Sequence, residues 1–217
     1  MAGIALDGSQ DLLLVVDPQL TFMELCPDEL PVPGAEAMIP VLNRLLAGPF
    51  ARAVVTQDWH GPDHLSFASQ HPGRAPYEML EMPYGQQELW PDHAVRGTAG
   101  AAIHPDLDMS HVALILRKGM RREIDSYSAF RENDRITGTG LAEWMRGIGV
   151  RRIFIAGITR PFCVDCSAAD AAYLGFDVFV IEDACARLGP DQALEDSKRA
   201  LEAQGIRFIT TADLLPG

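Results

Sequence analysis

The sequence predicts a three-layer α/β/α fold built on a six-stranded parallel sheet. Six short apolar runs recur along the chain. Most of them are continuous rather than alternating, which is typical of parallel strands that are buried on both faces. Helical patterns lie between several of these runs, and that alternation favours a parallel sheet with right-handed crossovers. With 217 residues, 47% of them hydrophobic, the chain is expected to form one domain over residues 1–217.

The individual elements follow from apolar runs bounded by polar or turn residues and from apolar residues at helical spacing. The predicted strands are residues 11–16, 52–56, 112–116, 152–156, 178–181 and 207–209. The predicted helices are residues 35–46, 141–148, 163–174 and 191–203, the third of them Ala-rich and closed by Gly175. Residues 61–108 show no clear periodicity and are rich in His, Pro, Gly and aromatic residues, which predicts a long functional loop region.

Charge and cysteine content restrict the partners that we expect. Thirty acidic and 18 basic residues give a net charge of −12, which disfavours nucleic acid because no basic surface is offered to phosphates. No signal-peptide pattern is evident, and the apolar run at residues 12–16 is far too short to span a bilayer, so no membrane partner is expected. Four cysteines are too few for a disulfide scaffold, which predicts reduced thiols and a cytoplasmic location.

Reactive side chains follow four successive predicted strands of the sheet. The first strand leads to Asp17, the second to Asp58 and His60, the third to Lys118 and the fourth to Cys163. Ligands bind beyond the carboxyl ends of parallel strands, so these groups are expected at one edge. Cys163 also begins a predicted helix, where unpaired N–H groups and the helix dipole favour a thiolate. Together, Asp17, Lys118 and Cys163 favour catalysis with a cysteine nucleophile.

The sequence also predicts a site for one divalent metal ion. Asp58 and His60 are two residues apart in an extended segment, so their side chains lie on the same side of the chain. His93 is the expected third ligand, and His64 either is a further ligand or only supports the loop. Two histidines and one carboxylate leave open positions for water or substrate, which suits Zn, Fe(II) or Mn.

Other interpretations of the same residues stay open at this point. Asp17 by itself is typical of a turn or cap, and Lys118 by itself of a solvated strand end. Cys163 and Cys166 form a C-x-x-C pair, which fits a thioredoxin-like redox protein but gives Lys118 no role. The remaining cysteines are not at zinc-ribbon spacing.

Taken together, these residues resemble the nicotinamidase/pyrazinamidase branch of the isochorismatase-like cysteine hydrolases. The resemblance runs from Asp11 to about Ala184 and implies an isochorismatase-like, Rossmann-like fold. It rests on the motifs DPQLTF at residues 17–22, QDWH at 57–60, WPDH at 90–93, KG at 118–119, DSYSAF at 125–130 and the loop at 157–164.

The resemblance implies an amidohydrolase that converts nicotinamide to nicotinate and ammonia through a cysteine thioester. It implies the metal ligands named above and, as partner, a small-molecule amide; a homo-oligomer stays open. The implied residue roles are a catalytic triad of Asp17, Lys118 and Cys163, an oxyanion hole of the Thr159 and Cys163 backbone N–H groups, and ring-stacking walls from Phe22 and Trp90.

The chain departs from the family pattern in two places. Residues 20–21 are Leu-Thr where the family usually has Asn-Asp, and residues 159–161 are Thr-Arg-Pro where it usually has Ala-Thr-Asp. The family has a cis peptide at the position of Ile158-Thr159. The triad is untouched, so amide hydrolysis is expected. An amide of the carbamoyl or maleamate type is the alternative substrate.

Overall fold

A computed structural model describes residues 4–48, 50 and 52–215. Its strands, in chain order, are β1 (Asp11–Val16), β2 (Arg52–Asp58), β3 (Met79–Met82), β4 (Gly85–Glu88), β5 (Val112–Lys118), β6 (Arg152–Arg160), β7 (Asp177–Arg187) and β8 (Arg207–Ile209). Six of these form a parallel sheet in the order β5-β2-β1-β6-β7-β8, which confirms the predicted sheet.

In the part of the chain that the structure describes, four α-helices cover the two faces of this sheet. They are α1 (Met38–Leu46), α2 (Leu141–Gly147), α3 (Cys163–Tyr173) and α4 (Asp191–Glu202). In β1, Leu13 packs in the cluster that contains α1, and Leu12 packs in the opposite cluster, which contains α2 and α3. Successive strand residues point to opposite faces, so a strand between two helix layers is apolar at every position. The three-layer architecture is confirmed.

Four of the six sheet strands, β2, β5, β6 and β7, continue past their predicted ends, whereas β1 and β8 end as predicted. Strand β2 continues through Asp58 and β5 through Lys118, and these two residues are register partners in the parallel ladder. Backbone pairing does not depend on side-chain polarity, so the strands continue past their apolar segments. Helix α1 begins at Met38 rather than at Ala35.

The predicted loop region at residues 61–108 is only partly a loop. It contains the antiparallel pair β3 and β4, whose side chains are mostly exposed or half-buried and therefore show no clear apolar pattern. Isolated bridges, His60 to Val95 and Phe67 to Trp90, fix this region along the end of the sheet. The longest described helix, α4, has 12 residues, and no helix in the described ranges has the length and apolarity that a membrane crossing requires.

Candidate active site

Four strands deliver the predicted reactive groups to one edge of the sheet. Asp17 directly follows β1, Asp58 ends β2, Lys118 ends β5, and Cys163 begins α3 shortly after β6. β1 lies between β2 and β6, and β5 lies beside β2. Parallel strands end at the same edge, so this order brings the four side chains together.

The ammonium group of Lys118 lies at the centre of this cluster. Its Nζ is 2.9 Å from Asp17 Oδ2, 3.1 Å from Asp58 Oδ1 and 3.5 Å from Cys163 Sγ. It also donates a hydrogen bond to the carbonyl of Ser126 at 3.0 Å. Burial lowers the pKa of Lys118, but the Asp17 and Asp58 carboxylates outweigh burial and raise it well above its usual range. The group is therefore a fixed buried cation.

Asp17 is placed to accept a proton. Its Oδ1 accepts a hydrogen bond from Thr56 Oγ1 at 2.6 Å, and its backbone N–H donates to the same hydroxyl at 3.0 Å. Its Oδ2 faces Lys118 without a hydrogen bond of good geometry to any described residue. Burial raises the pKa of Asp17, against the opposing effect of Lys118. A buried carboxylate with a raised pKa is a candidate general base.

Cys163 is the first residue of α3, as predicted, but its charge state differs from the expectation. Burial raises the pKa of Cys163 well above its usual range, and the nearby Lys118 cation only partly opposes this. The expectation of a thiolate is therefore wrong for the free protein, because desolvation and the nearby carboxylates favour the neutral thiol. The thiol needs a base before it can act as a nucleophile.

The carboxylate of Asp58 and the rings of His60 and His93 converge on one point. Asp58 Oδ2 lies 3.2 Å from His60 Nε2 and 3.5 Å from His93 Nε2. On the far side of each ring, His60 Nδ1 lies 2.9 Å from Gly119 O, and His93 Nδ1 lies 2.9 Å from Pro91 O. Carbonyls at Nδ1 favour the tautomer with the proton on Nδ1, which leaves both Nε2 atoms free to bind a metal.

This donor set fits a divalent cation. The three donor atoms of Asp58, His60 and His93 lie within 4.8 Å of one another in buried positions. Burial lowers the pKa of His60, but the Asp58 carboxylate outweighs burial and raises the pKa to about 9. Negative charge at this point therefore attracts a proton when no metal is bound, and a metal ion would replace that proton.

His64 does not belong to that trio. It forms a second group with His60 and Asp125, whose donor atoms also lie within 4.8 Å of one another. His64 Nδ1 is 2.7 Å from Ser66 Oγ, and its buried Nε2 has no hydrogen-bond partner among the described residues. Asp125 was not predicted as a site residue, although it begins the DSYSAF segment that carries the resemblance.

A largely apolar pocket opens beside Cys163. Phe22 and Trp90, the predicted ring-stacking residues, both line it. The Trp90 indole N–H donates to the Tyr127 hydroxyl at 2.9 Å, and the Trp90 ring packs edge-on against Phe162 at 5.0 Å. The sequence reasoning missed Tyr127 and Phe162, although Phe162 directly precedes the cysteine. The lining residues are Phe22, Leu30, Asp58, Trp90, His93, Asp125, Tyr127, Thr159, Phe162, Cys163 and Leu188.

In the loop at residues 159–161, which differs from the family pattern, Arg160 and Pro161 do not line the pocket. The Ile158-Thr159 peptide is cis, as the resemblance implied, and so is Arg160-Pro161. Arg160 is 1% exposed and its guanidinium pairs with Asp165 at 2.8 Å and with Glu182 at 3.2 Å. Of the three departing residues, only Thr159 lines the pocket.

An isochorismatase domain model matches residues 11–213. The chain therefore belongs to the isochorismatase family. It is 43% identical over 203 residues to the nicotinamidase of Acinetobacter baylyi, with 94% of each chain covered.

Solved structures agree with this assignment. A nicotinamidase/pyrazinamidase structure from Acinetobacter baumannii superposes with a TM-score of 0.92 at 42% identity and covers 95% of this chain and 99% of its own. The pyrazinamidase of Pyrococcus horikoshii in complex with zinc superposes with a TM-score of 0.74 at 31% identity. The match covers 93% of this chain and 99% of the pyrazinamidase chain. The predicted isochorismatase-like fold is confirmed.

Proposed function

We propose that this chain hydrolyses nicotinamide to nicotinate and ammonia, with Cys163 as the nucleophile. One observation carries the proposal: Lys118 Nζ lies within 3.5 Å of both Asp17 Oδ2 and Cys163 Sγ beside an aromatic pocket. A base, a thiol and a fixed cation at one point are the parts that acyl transfer through a covalent intermediate requires. The likeness to curated nicotinamidases supports nicotinamide as the amide.

In the first half-reaction, Asp17 takes the proton from Cys163, and the thiolate attacks the carboxamide carbon. The buried Lys118 cation keeps Asp17 ionised and stabilises negative charge beside it. The backbone N–H groups of Thr159 and Cys163 receive the oxyanion, and such a donor contributes about 3 kcal/mol. Protonated Asp17 then gives its proton to the leaving nitrogen, and ammonia departs as the thioester forms.

In the second half-reaction, a water molecule replaces ammonia. Asp17, ionised again, takes a proton from this water, and the resulting hydroxide attacks the thioester carbonyl. The C–S bond breaks, the Cys163 thiolate takes back the proton that Asp17 removed from the water, and the released nicotinic acid ionises to nicotinate. The same carboxylate therefore serves both half-reactions, which agrees with its raised pKa.

Binding of the flat substrate ring falls to the aromatic and metal-binding sides of the pocket. Phe22 and Trp90 form apolar walls for the ring. We propose that Asp58, His60 and His93 hold one Zn, Fe or Mn ion, which when bound orients the pyridine nitrogen directly or through water. Loss of metal in a His93→Ala variant would support this ligand set, and unchanged metal content would remove His93 from it.

The nucleophile is tested by ammonia release from nicotinamide and by covalent trapping. Cys163→Ala should abolish ammonia release, whereas Cys166→Ala is the matched control three residues along the same helix and should retain it. Nicotinaldehyde should add its mass to the parent protein and to Cys166→Ala but not to Cys163→Ala. Ammonia release by Cys163→Ala would contradict the assignment.

The alternatives make different predictions in the same assays. An amidase for carbamoyl or maleamate-type substrates would release ammonia from those amides faster than from nicotinamide. A redox protein would form a reversible Cys163–Cys166 disulfide. Burial raises the pKa of Cys166 to about 11 and that of Cys163 well above its usual range, opposite to the low pKa of reactive redox thiols.

We also propose that the chain acts as one hydrolase domain in the cytoplasm. Both hydrophobic clusters pack against the same sheet, which supports a single folding unit. All four cysteines are free, which agrees with a reducing compartment. Cell fractionation tests the compartment, and size-exclusion chromatography with light scattering tests whether the chain is a homo-oligomer.

A further inference from the structure

A hydrogen-bonded pair of side chains holds the backbone next to the proposed metal ligand His93. Thr21 Oγ1 accepts a hydrogen bond from the Ala94 backbone N–H at 2.9 Å and donates its own proton to Glu29 Oε2. The same Glu29 oxygen lies 3.2 Å from the Ala94 nitrogen. The peptide that joins His93 to Ala94 is therefore anchored to residues 65 and 73 positions away in the sequence.

The anchored backbone has a conformation that the chain does not adopt freely. Ala94 is fully buried and has a φ of +47°, in the left-handed region that residues other than glycine avoid. Such a conformation persists where surrounding contacts determine it. The hydrogen bonds from the Ala94 N–H to Thr21 and Glu29 are contacts of this kind.

The space for the Glu29 carboxylate is also built into the fold. Gly100 has no side chain, and a Cβ at this position would lie 2.0 Å from Glu29 Oε1. The Thr21 backbone N–H donates to the Gly100 carbonyl at 2.8 Å, so Thr21 and Gly100 are held together. Glu29 itself is half-buried. The carboxylate thus lies in a space between Gly100 and Ala94.

We propose that Thr21 and Glu29 form a two-residue anchor that positions His93 for metal binding. Thr21 stands where the family pattern has an aspartate, and in this chain its hydroxyl donates to the carboxylate of Glu29, eight residues further along. Neither residue touches the metal ligands' donor atoms, so both are positioning residues. The proposal rests on the proposed metal site and explains how the chain tolerates its first departure from the family.

Zinc affinity, measured without substrate by competition with a chromophoric chelator, tests the anchor. Glu29→Gln and Thr21→Val should each weaken zinc binding about tenfold. This is the lower end of the loss in metal affinity that is typical when a residue supporting a ligand is replaced. Thr21→Ser keeps the hydroxyl and should bind zinc like the parent. Glu24→Gln, an exposed charge on the same loop, is the matched control and should also bind like the parent.

Moving the carboxylate separates this role from a general effect on the fold. The double variant Thr21→Asp with Glu29→Gln should recover zinc affinity to within about threefold of the parent. At saturating zinc, Glu29→Gln should recover most of its kcat/KM. If Glu29→Gln fails to fold, Gly100→Ala displaces the carboxylate while keeping both side chains and should weaken zinc binding about tenfold.

Parent-like zinc affinity in Glu29→Gln and Thr21→Val would overturn the anchor, as would equal weakening in Glu24→Gln. A double variant no better than Glu29→Gln alone would also contradict it. The zinc titrations contain no nicotinamide. They therefore test the anchor independently of which amide the chain hydrolyses.

Discussion

Replacing Gly119 with alanine should damage the proposed metal site from outside the ligand set. Gly119 has a φ of +67°, and a Cβ built on it would lie 2.4 Å from His60 Cε1, 2.7 Å from His60 Nδ1 and 3.0 Å from Asp58 Oδ1. Ordinary carbon–carbon contacts need about 3.5 Å, so the His60 ring must move by about 1 Å. The ring is held by its 2.9 Å contact with Gly119 O, so that movement also disturbs this contact.

Two separate losses follow from this geometry. The left-handed backbone costs alanine about 1 kcal/mol of folding stability relative to glycine. Displacement of the His60 ring should weaken zinc binding by about 10- to 100-fold, or roughly 1.4 to 2.8 kcal/mol. The second loss is specific to the site, because it arises from contact with a ligand ring.

Gly205→Ala is the matched control. Gly205 has a φ of +85°, and a Cβ there would have no heavy atom within 4 Å. It should lose about 1 kcal/mol of stability in urea unfolding and keep the parent's zinc affinity. Gly119→Ala should lose stability in urea unfolding and should also lose affinity in the zinc titration. Parent-like zinc binding by Gly119→Ala would refute the view that the glycine makes room for His60.

Three further predictions concern the base, the buried ion pair and the pocket wall. Burial raises the pKa of Asp17 above 3.8, and catalysis needs the carboxylate, so kcat/KM should fall on the acid side through a pKa above 3.8. If kcat/KM instead fell through a pKa at or below 3.8, the result would contradict a buried base. Asp165→Asn should cost about 3 kcal/mol of stability in urea unfolding. It removes one carboxylate from the buried Arg160 guanidinium and leaves only the half-exposed Glu182 as its charged partner. Glu78→Gln, in an exposed pair, should change stability by less than about 0.5 kcal/mol, and equal losses would count against the buried-pair argument. Trp90→Phe keeps an aromatic wall but loses the hydrogen bond to the tyrosine hydroxyl, so it should raise KM for nicotinamide several-fold with a smaller change in kcat. An unchanged KM would show that this hydrogen bond does not position the wall.

Much of the fold could be predicted because parallel strands between two helix layers are apolar at consecutive positions. The residues of β1 are all buried, and their pattern is evident without any partner strand. Strands β3 and β4 gave no such signal, since their residues are mostly exposed or half-buried. An isolated hairpin with little buried surface leaves no periodic pattern to detect.

The gathering of reactive groups was also predictable, although their charge states were not. Strand ends in a parallel sheet meet at one edge, so Asp17, Lys118 and Cys163 were expected to lie together. The sequence places Cys163 at a helix start, which favours a thiolate. Desolvation acts in the opposite direction and depends on every element packed around the thiol, so burial could not be derived from residues 157–175 alone.

The amino-acid sequence by itself determined the sheet, the helix layers and which strands lead to Asp17, Lys118 and Cys163, because these follow from local periodicity and chain order. Only the tertiary structure decided which residues support them. The contact between Thr21 and Ala94 joins positions 73 residues apart, and Gly119 must lack a Cβ only because the His60 ring lies against it. Contacts of this kind arise from packing between elements, and packing leaves no periodic signal in the chain.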